Sequence, residues 1–155
     1  MKVLIIIPAY NEEESIEKVI NNLKQNYSQY DYVIINDGSH DHTSEICHKN
    51  KYKIIDLPVN LGLTGAFQTG LKYAYKKGYD YAIQFDADGQ HLPEYIPAMV
   101  DKIEEGYDMV IGSRFVEKPK PRSLRMLGSR VISTAIKITT GVHIADPTSG
   151  MRLFN

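Results

Sequence analysis

The feature that most constrains the fold of this chain is the alternation of short apolar runs with stretches of helical periodicity. The apolar runs are rich in Ile, Val or Tyr, and we predict strands at residues 2–7, 32–36, 53–57, 81–85 and 109–112. Apolar side chains recur at helical spacing in three stretches between them: Ile16, Val19, Ile20 and Leu23; Leu63, Phe67, Leu71 and Ala74; and Ile96, Met99, Val100 and Ile103, preceded by Pro93. A weaker helix is predicted at residues 43–49, capped by Ser39 or Asp41. Repeated strand–helix units predict an α/β fold, with a mostly parallel sheet covered by helices on both faces.

Length and composition predict one domain over residues 1–155. The chain is 43% hydrophobic and 24% charged, which is ordinary for a globular domain with a core. The apolar runs are too short to cross a bilayer and the N-terminus lacks the pattern of a signal peptide, so we expect a cytoplasmic location. Cys47 is the single cysteine and is expected to be a half-buried helix residue. Residues 144–154 read as a turn entering a further strand, and because domains rarely finish there we expect a chain that is incomplete at its C-terminus.

Polar loops follow the predicted strands. They lie at residues 8–12, 37–41, 60–62, 86–90 and 113–114. Ligands of open parallel sheets bind at the carboxyl ends of the strands, so these loops predict one site at one edge of the sheet.

Two carboxylates stand one residue apart in the fourth of these loops. Asp86 and Asp88 share side-chain parity on an extended backbone, so both can face one ion, and Gln90 continues that parity as a neutral third ligand. Oxygen ligands of this kind suit Mg²⁺ or Mn²⁺. An Asp-x-Asp pair taken alone is more often a plain acidic loop. No Gly-rich phosphate-binding fingerprint is present in the sequence, so a metal on these carboxylates would be needed to neutralise a diphosphate.

The loops after the first two strands carry groups that suit a nucleoside. Tyr10 offers an aromatic ring, and Glu12 and Asp37 offer carboxylates for a base or ribose. The alternative for the first loop is simple helix entry with Asn11 as the cap, and residues 36–39 are a turn signature in their own right. Three glycines around a helix start would permit close approach of the backbone to a ligand: Gly62, Gly65 and Gly70.

The net charge of −1 hides a basic segment at residues 114–137. It holds seven basic residues and one acid, a net charge of +6, which leaves −7 on the rest of the chain. A phosphorylated substrate or an anionic membrane surface fits this segment. Nucleic acid does not, because Phe115 is the only aromatic residue there and the whole chain is near neutral.

The ordered set of motifs resembles family-2 glycosyltransferases of the GT-A fold, and among them the polyprenyl-phosphate sugar transferases of the dolichol-phosphate mannose synthase group. The resemblance spans residues 3–154. It rests on six motifs: Ile7-Pro8-Ala9-Tyr10-Asn11-Glu12, Ile35-Asn36-Asp37-Gly38-Ser39, Asn60-Leu61-Gly62-Leu63, Asp86-Ala87-Asp88-Gly89-Gln90-His91, Gly112-Ser113-Arg114-Phe115 and Asp146-Pro147-Thr148-Ser149-Gly150-Met151-Arg152.

The resemblance implies roles for residues by position. The nucleotide-binding positions are Pro8, Tyr10, Glu12, Asp37, Gly62 and Asp86. The metal and diphosphate positions are Asp86, Asp88 and Gln90. The acceptor-phosphate positions are Arg114, Arg125 and Ser129. Asp86, Asp88 and Arg114 are expected to be the catalytic residues, and Asn36 stands where many members of the family have Asp.

These observations lead to one leading hypothesis. It is a metal-dependent transferase that moves a sugar from a UDP- or GDP-linked donor at the cytosolic membrane face. The resemblance implies that transfer is inverting and that the acceptor is a polyprenyl phosphate. The first alternative acceptor is a saccharide hydroxyl, as in polysaccharide synthesis, and a different class is a non-catalytic nucleotide-sugar-binding or scaffolding domain. A basic helix at residues 124–139 is predicted to pack on the core, with a membrane-surface role as the alternative. Its apolar stripe is Leu124, Leu127, Val131, Ala135 and Ile138.

Overall fold

The computed structural model describes residues 1–87, 93–113, 124–142, 144, 146 and 149–155, and of residues 124–130 it describes only the backbone. Within these residues the fold contains one six-stranded sheet. The strands are β1 (Val3–Ala9), β2 (Asp31–Asn36), β3 (Ile54–Asp56), β4 (Tyr81–Gln84), β5 (Met109–Ile111) and β6 (Arg152–Phe154). Their order across the sheet is β3-β2-β1-β4-β6-β5.

Helices connect the strands as the periodicity predicted. They are α1 (Ile16–Asn26), α2 (Thr43–Lys49), α3 (Gly62–Lys77), α4 (Ile96–Glu104) and α5 (Leu124–Thr140). The weakest of the predicted helices, α2, has the predicted bounds, and Cys47 on it is fully buried. A 3₁₀ turn at Pro93–Tyr95 leads into α4. The α/β prediction is confirmed.

Four neighbouring strands of the sheet, β3, β2, β1 and β4, run parallel to one another, whereas β6 runs antiparallel to its two neighbours. β1 pairs in parallel with β2 and β4, and β2 pairs in parallel with β3. β6 enters between β4 and β5 and runs antiparallel to both. The sequence predicted a strand near the end of the chain, but not its place between two earlier strands, because that place depends on contacts distant in sequence.

β1 forms the centre of the core. All seven of its residues are buried, and alternate side chains point to opposite faces of the sheet. Val3, Ile5 and Ile7 belong to the cluster that includes α1 and α4, whereas Leu4 and Ile6 belong to the cluster with α3. Each fully buried Leu or Ile of this strand contributes about 1.5–3 kcal/mol of transfer free energy. The expected helices on both faces of the sheet are therefore confirmed.

Gly70 has a packing role rather than the ligand-binding role suggested for it. A Cβ atom on Gly70 would collide with the fully buried side chain of Ile6. The absence of a side chain lets α3 pack closely on β1. Leu63, the first residue of the predicted apolar stripe of α3, is exposed, and the buried face of the helix begins at Ala66.

The apolar stripe of α5 does not pack on the core as predicted. The exposed fraction is 62% for Val131 and 80% for Ile138, and Ala135 is exposed as well. The side chains of Leu124 and Leu127 lie outside the described residues. Among the residues that are described, no helix is both long and apolar enough to span a bilayer.

Candidate functional site

Three loops meet at the carboxyl ends of β1, β2 and β3. We call them the β1 loop (residues 10–15), the β2 loop (37–42) and the β3 loop (57–61). The parallel register pairs Ala9 with Asn36 and Asn36 with Asp56, so the three strands end at the same level. The predicted convergence of these loops on one edge of the sheet is confirmed. Pro8, predicted as a loop residue, is paired with Ile35 inside β1.

Asp37 ties the β2 loop to both of its neighbours. Its N–H donates to the carbonyl of Ala9 at 2.8 Å, and its Oδ1 accepts the N–H of Leu61 at 2.7 Å. The residue is only 3% exposed. Among the described residues its Oδ2 has no hydrogen-bond donor. A buried carboxylate with one oxygen free of protein partners is suited to accept an N–H from a ligand.

Gly38 permits the β2 and β3 loops to approach each other. Its φ of +67° is in the left-handed region, and a Cβ atom there would lie 2.8 Å from the backbone nitrogen of Asn60. A side chain is therefore excluded by both conformation and space. Gly62, the first residue of α3, also has a positive φ of +73°, but a Cβ atom on it would meet nothing within 4 Å.

Asn36 makes two specific hydrogen bonds through its side chain. Its Nδ2 donates to Asp56 Oδ1 at 2.7 Å, and its Oδ1 accepts the N–H of Ser39 at 3.2 Å. Asp56 also accepts a hydrogen bond from Ser44 and lies 2.7 Å from Nε2 of His48. Burial tends to raise the pKa of Asp56, but the hydrogen bonds from Asn36, Ser44 and His48 outweigh it and hold that pKa below its usual value. An Asp at position 36 would place two carboxylates in contact.

The β1 loop presents Tyr10 to solvent and holds Glu12 in place. Tyr10 is 44% exposed, and its ring packs edge-on against that of His40, with ring centroids 6.3 Å apart. The N–H of Glu12 donates to Thr43 Oγ1 at 2.8 Å, and Glu12 Oε2 accepts the hydroxyl of Ser15. The nucleotide-contacting roles of Tyr10 and Glu12 stay predictions.

The alternative of simple helix entry does not fit the β1 loop. The side chain of Asn11 does not cap α1, which begins five residues later at Ile16. Instead Asn11 Oδ1 accepts the N–H of His40 at 2.9 Å, and Asn11 itself has a positive φ of +56°.

Asp86 follows β4 on the other side of β1. The register pairs Ile6 with Gln84, and the N–H of Phe85 donates to the carbonyl of Ile6. Gln84 Nε2 contacts Asp86 Oδ1 at 3.4 Å. Adjacent strands lie about 4.8 Å apart, so β2 and β4 lie about 10 Å apart with β1 between them. A carboxylate is the kind of hard oxygen donor that Mg²⁺ or Mn²⁺ prefers. The described residues contain no group of three or more His, Cys, Asp or Glu side chains that could hold a metal ion.

The other predicted site residues lie outside the described part of the chain. These are Asp88, Gln90 and Arg114, together with the side chains of Arg125 and Ser129. Their metal and acceptor-phosphate roles stay predictions.

The sequence analysis did not identify Asp41 and Thr43 as residues that link the β1 and β2 loops. The signal available was the pair of polar residues following the turn at residues 36–39.

Similar proteins and solved structures agree on the class of this fold. The chain is 36% identical over 175 residues to the UDP-N-acetylglucosamine–dolichyl-phosphate N-acetylglucosaminyltransferase of Methanococcus voltae, covering 99% of this chain and 69% of that protein. It is 35% identical over 162 residues to the dolichol-phosphate mannosyltransferase of Pyrococcus furiosus, covering 97% of this chain and 45% of that protein.

A glucosyl-3-phosphoglycerate synthase from Mycobacterium tuberculosis, solved with Mn²⁺, UDP-glucose and phosphoglyceric acid, superposes with a TM-score of 0.77 at 20% identity. The match covers 99% of this chain and 56% of that one, and it shows the shared GT-A fold. The family model described as glycosyl transferase family 2 matches residues 4–155. The chain belongs to glycosyltransferase family 2.

Proposed function

We propose that residues 1–155 form one nucleotide-sugar-binding domain of an enzyme that transfers a sugar from a nucleoside diphosphate to a polyprenyl phosphate. The observation that carries this proposal is the sheet edge, where buried Asp37, exposed Tyr10 and the carboxylate of Asp86 follow three adjacent strands. The names of the Methanococcus and Pyrococcus relatives, both transferases to dolichyl phosphate, support the choice of acceptor.

The donor nucleoside would lie over the ends of β1 and β2. Asp37 Oδ2 accepts a ring N–H, which both uracil and guanine possess, so either UDP or GDP fits. Tyr10 presents a ring face for stacking on the base. Glu12 Oε1 has no partner among the described residues and accepts a ribose hydroxyl, while Oε2 is held by Ser15.

The diphosphate would extend from there towards the end of β4. Asp86, Asp88 and Gln90 would hold Mg²⁺ or Mn²⁺ at this point. When bound, the metal offsets the charge that grows on the leaving diphosphate. The Mn²⁺ in the mycobacterial synthase of the same fold supports this choice of ion. By holding the metal, the carboxylates would fix the position of the donor diphosphate.

The acceptor phosphate would be bound by Arg114, Arg125 and Ser129. A phosphate monoester is ionised at neutral pH, so it attacks without a general base. Its oxygen bonds to the anomeric carbon from the face opposite the diphosphate as the bond to the leaving oxygen breaks, and the configuration inverts. The charge of +6 on residues 114–137 favours a position at the anionic cytosolic face of the membrane.

Transfer by the full-length protein tests this function. Membranes or micelles containing a polyprenyl phosphate are incubated with labelled UDP- and GDP-sugars and Mn²⁺, and label is measured in the organic phase. We expect a sugar–phosphate lipid from one donor. Label that enters only a neutral saccharide acceptor would support the hydroxyl-transferring alternative, and nucleotide binding without transfer to either acceptor would support a non-catalytic domain.

Arg125→Ala tests the acceptor site separately. We expect the KM for polyprenyl phosphate to rise at least about tenfold because a charge-assisted hydrogen bond is lost, with the Kd for the nucleotide unchanged. Lys72→Ala is the matched control, since Lys72 is an exposed cation on α3, outside the basic segment. An equal loss of nucleotide and acceptor binding in Arg125→Ala would contradict the assigned role.

A further inference from the structure

The β1 and β2 loops are joined by a dense set of hydrogen bonds. Five bonds between main-chain N–H groups and side chains cross from one loop to the other or to the start of α2. They run from Asn11 N–H to Ser39 Oγ, Glu12 N–H to Thr43 Oγ1, Glu13 N–H to Asp41 Oδ2, His40 N–H to Asn11 Oδ1 and His42 N–H to Glu13 Oε2. The paired residues lie 28–31 positions apart in the chain. These bonds therefore fix the position of one loop relative to the other.

Thr43 is the buried centre of this set. Its side chain is fully buried, and its hydroxyl accepts the N–H of Glu12 at 2.8 Å while it donates to Asp41 Oδ1 at 2.6 Å. A hydroxyl has a single proton, so the direction of the chain of hydrogen bonds is fixed from Glu12 through Thr43 to the carboxylate. Bonds that are aligned in this way strengthen one another.

Asp41 completes the arrangement with both of its oxygens. Oδ1 also accepts the N–H of Thr43 at 3.0 Å, and Oδ2 accepts the N–H of Glu13 at 3.1 Å. Burial tends to raise the pKa of Asp41, but the hydrogen bonds from Thr43 and Glu13 prevail and hold that pKa below its usual value. The ionised carboxylate is thus the form that fits, because all three donors point at it.

We propose that Thr43 and Asp41 are positioning residues of the nucleotide site, which fix the backbone of Glu12 and so the placement of Glu12 and Tyr10 relative to Asp37. Ser15 holds the carboxylate of Glu12, and Thr43 holds its main-chain N–H, so Glu12 is restrained at both ends. Asp37 is the first residue of the β2 loop, which ends where α2 begins at Thr43. This inference rests on the proposed function, because it assigns Tyr10, Glu12 and Asp37 to one ligand.

Thr43→Val and Thr43→Ser separate the hydroxyl from the shape of the side chain. Val removes the bond to Glu12 and leaves Asp41 Oδ1 short of a donor, whereas Ser keeps both bonds. With the probes UDP and GDP in the presence of Mn²⁺, we expect Thr43→Val to weaken binding of the preferred nucleotide about tenfold and Thr43→Ser to restore it to within about twofold. The Kd is measured at a temperature where each variant is folded, so a purely structural role would leave it unchanged.

Thr69→Val is the matched control. Its hydroxyl donates to the carbonyl of Gly65 within α3, away from the joined loops, so nucleotide binding should stay at the wild-type value.

The transfer assay gives a second measurement on Thr43→Val. The KM for the donor should rise while kcat at saturating donor stays within about twofold, since bound donor still meets intact catalytic groups. Wild-type affinity in Thr43→Val would overturn the inference.

Ser39→Ala provides a second variant should Thr43→Val fail to fold. It removes only the acceptor of the exposed Asn11 N–H, and we expect about threefold weaker binding. Wild-type affinity in a folded Ser39→Ala, with Thr43→Val unfolded, would overturn the inference. A wild-type protein that binds neither nucleotide would overturn the proposed function and this inference with it, whereas a wild-type protein that binds, with variants that bind equally well, would overturn this inference alone.

Discussion

The loops at the ends of β1–β3 and the helix α5 are stabilised in opposite ways. In the loops, polar groups of Asn11, Asp37, Asp41 and Thr43 are satisfied by main-chain groups of a neighbouring loop. On α5, Val131, Ile132 and Ile138 are exposed. One region is held by directional bonds between side chains and backbone, and the other presents apolar surface.

The two regions therefore differ in what holds their side chains in place. Directional bonds between loops fix the relative positions of side chains, which a site needs before its ligand arrives. An exposed apolar helix face contributes little to the stability of the described fold, because its side chains leave water only when something covers them. Substitutions should therefore have large effects in the joined loops and small effects on the exposed part of α5.

Within the loops, the largest effect is expected from Gly38→Ala. The new Cβ would meet backbone atoms of Val59 and Asn60 and would sit at a positive φ, so we expect a loss of about 3 kcal/mol in the free energy of unfolding. Gly62→Ala is the matched control: its φ is also positive but the space is open, so about 1 kcal/mol is expected. Urea unfolding measures both, and equal losses would show that loop contact has no part in the effect.

Asn36→Asp should have the next largest effect. Two carboxylates would meet where Asn36 now donates to Asp56, and we expect a loss of about 2 kcal/mol at neutral pH. Adding Asp56→Asn restores a donor–acceptor pair with the partners exchanged and should recover most of the loss. Additive destabilisation in the double variant would contradict direct pairing of these two residues.

A smaller effect is expected on acidification. The pKa values of Asp41 and Asp56 are held below the usual 3.8, so the folded state binds fewer protons than the unfolded state in that range. The stabilisation that these two carboxylates contribute is complete above pH 3.8. It is lost as the pH falls from there through their lowered pKa values in the folded state. Unfolding measured from about pH 7 to about pH 3 should show a shallower acid loss in Asp56→Asn than in the wild type. Identical profiles in the two proteins would show that Asp56 does not contribute to the loss of stability in acid.

The smallest effect is expected on α5. Ile138→Ser replaces a side chain that is 80% exposed, so the free energy of unfolding should change by no more than about 0.5 kcal/mol. Ile35→Ser, at a fully buried position of β2, is the contrasting variant and should cost at least about 3 kcal/mol. A large loss in Ile138→Ser would mean that α5 is buried in the folded protein.

Local patterns in the sequence were enough to predict most of the fold. The strand positions and the weak helix α2 follow from periodicity, which acts over a few residues. The convergence of the loops follows from the rule that the carboxyl ends of parallel strands meet at one edge of the sheet. The place of β6 between β4 and β5 and the close packing of Gly70 on Ile6 did not follow, because both depend on contacts between segments far apart in the chain.

Individual site residues could be predicted only where the side chain itself indicates a binding role, as a carboxylate does after a strand. Asp37 and Asp86 stand where carboxylates after strands were expected. Thr43 was not recognised, because a buried threonine at a helix start looks like an ordinary capping residue until its partner Glu12, 31 positions earlier, is placed beside it. Asn36 likewise looked like a simple variation until Asp56 was found in contact with it.

The central claim is that the edge formed by β2, β1 and β4 is a metal-dependent nucleotide site. Its most direct test is the thermal unfolding of the full-length protein with UDP or GDP, with and without Mn²⁺, in the wild type, Asp88→Ala and the control Asp101→Ala, an exposed carboxylate on α4. At a hundredfold excess over the Kd, binding adds about 2.7 kcal/mol, or several degrees. The account predicts a Mn²⁺-dependent shift with one nucleotide that Asp101→Ala keeps and Asp88→Ala loses. No shift with either nucleotide, or an equal shift in Asp88→Ala, would contradict it.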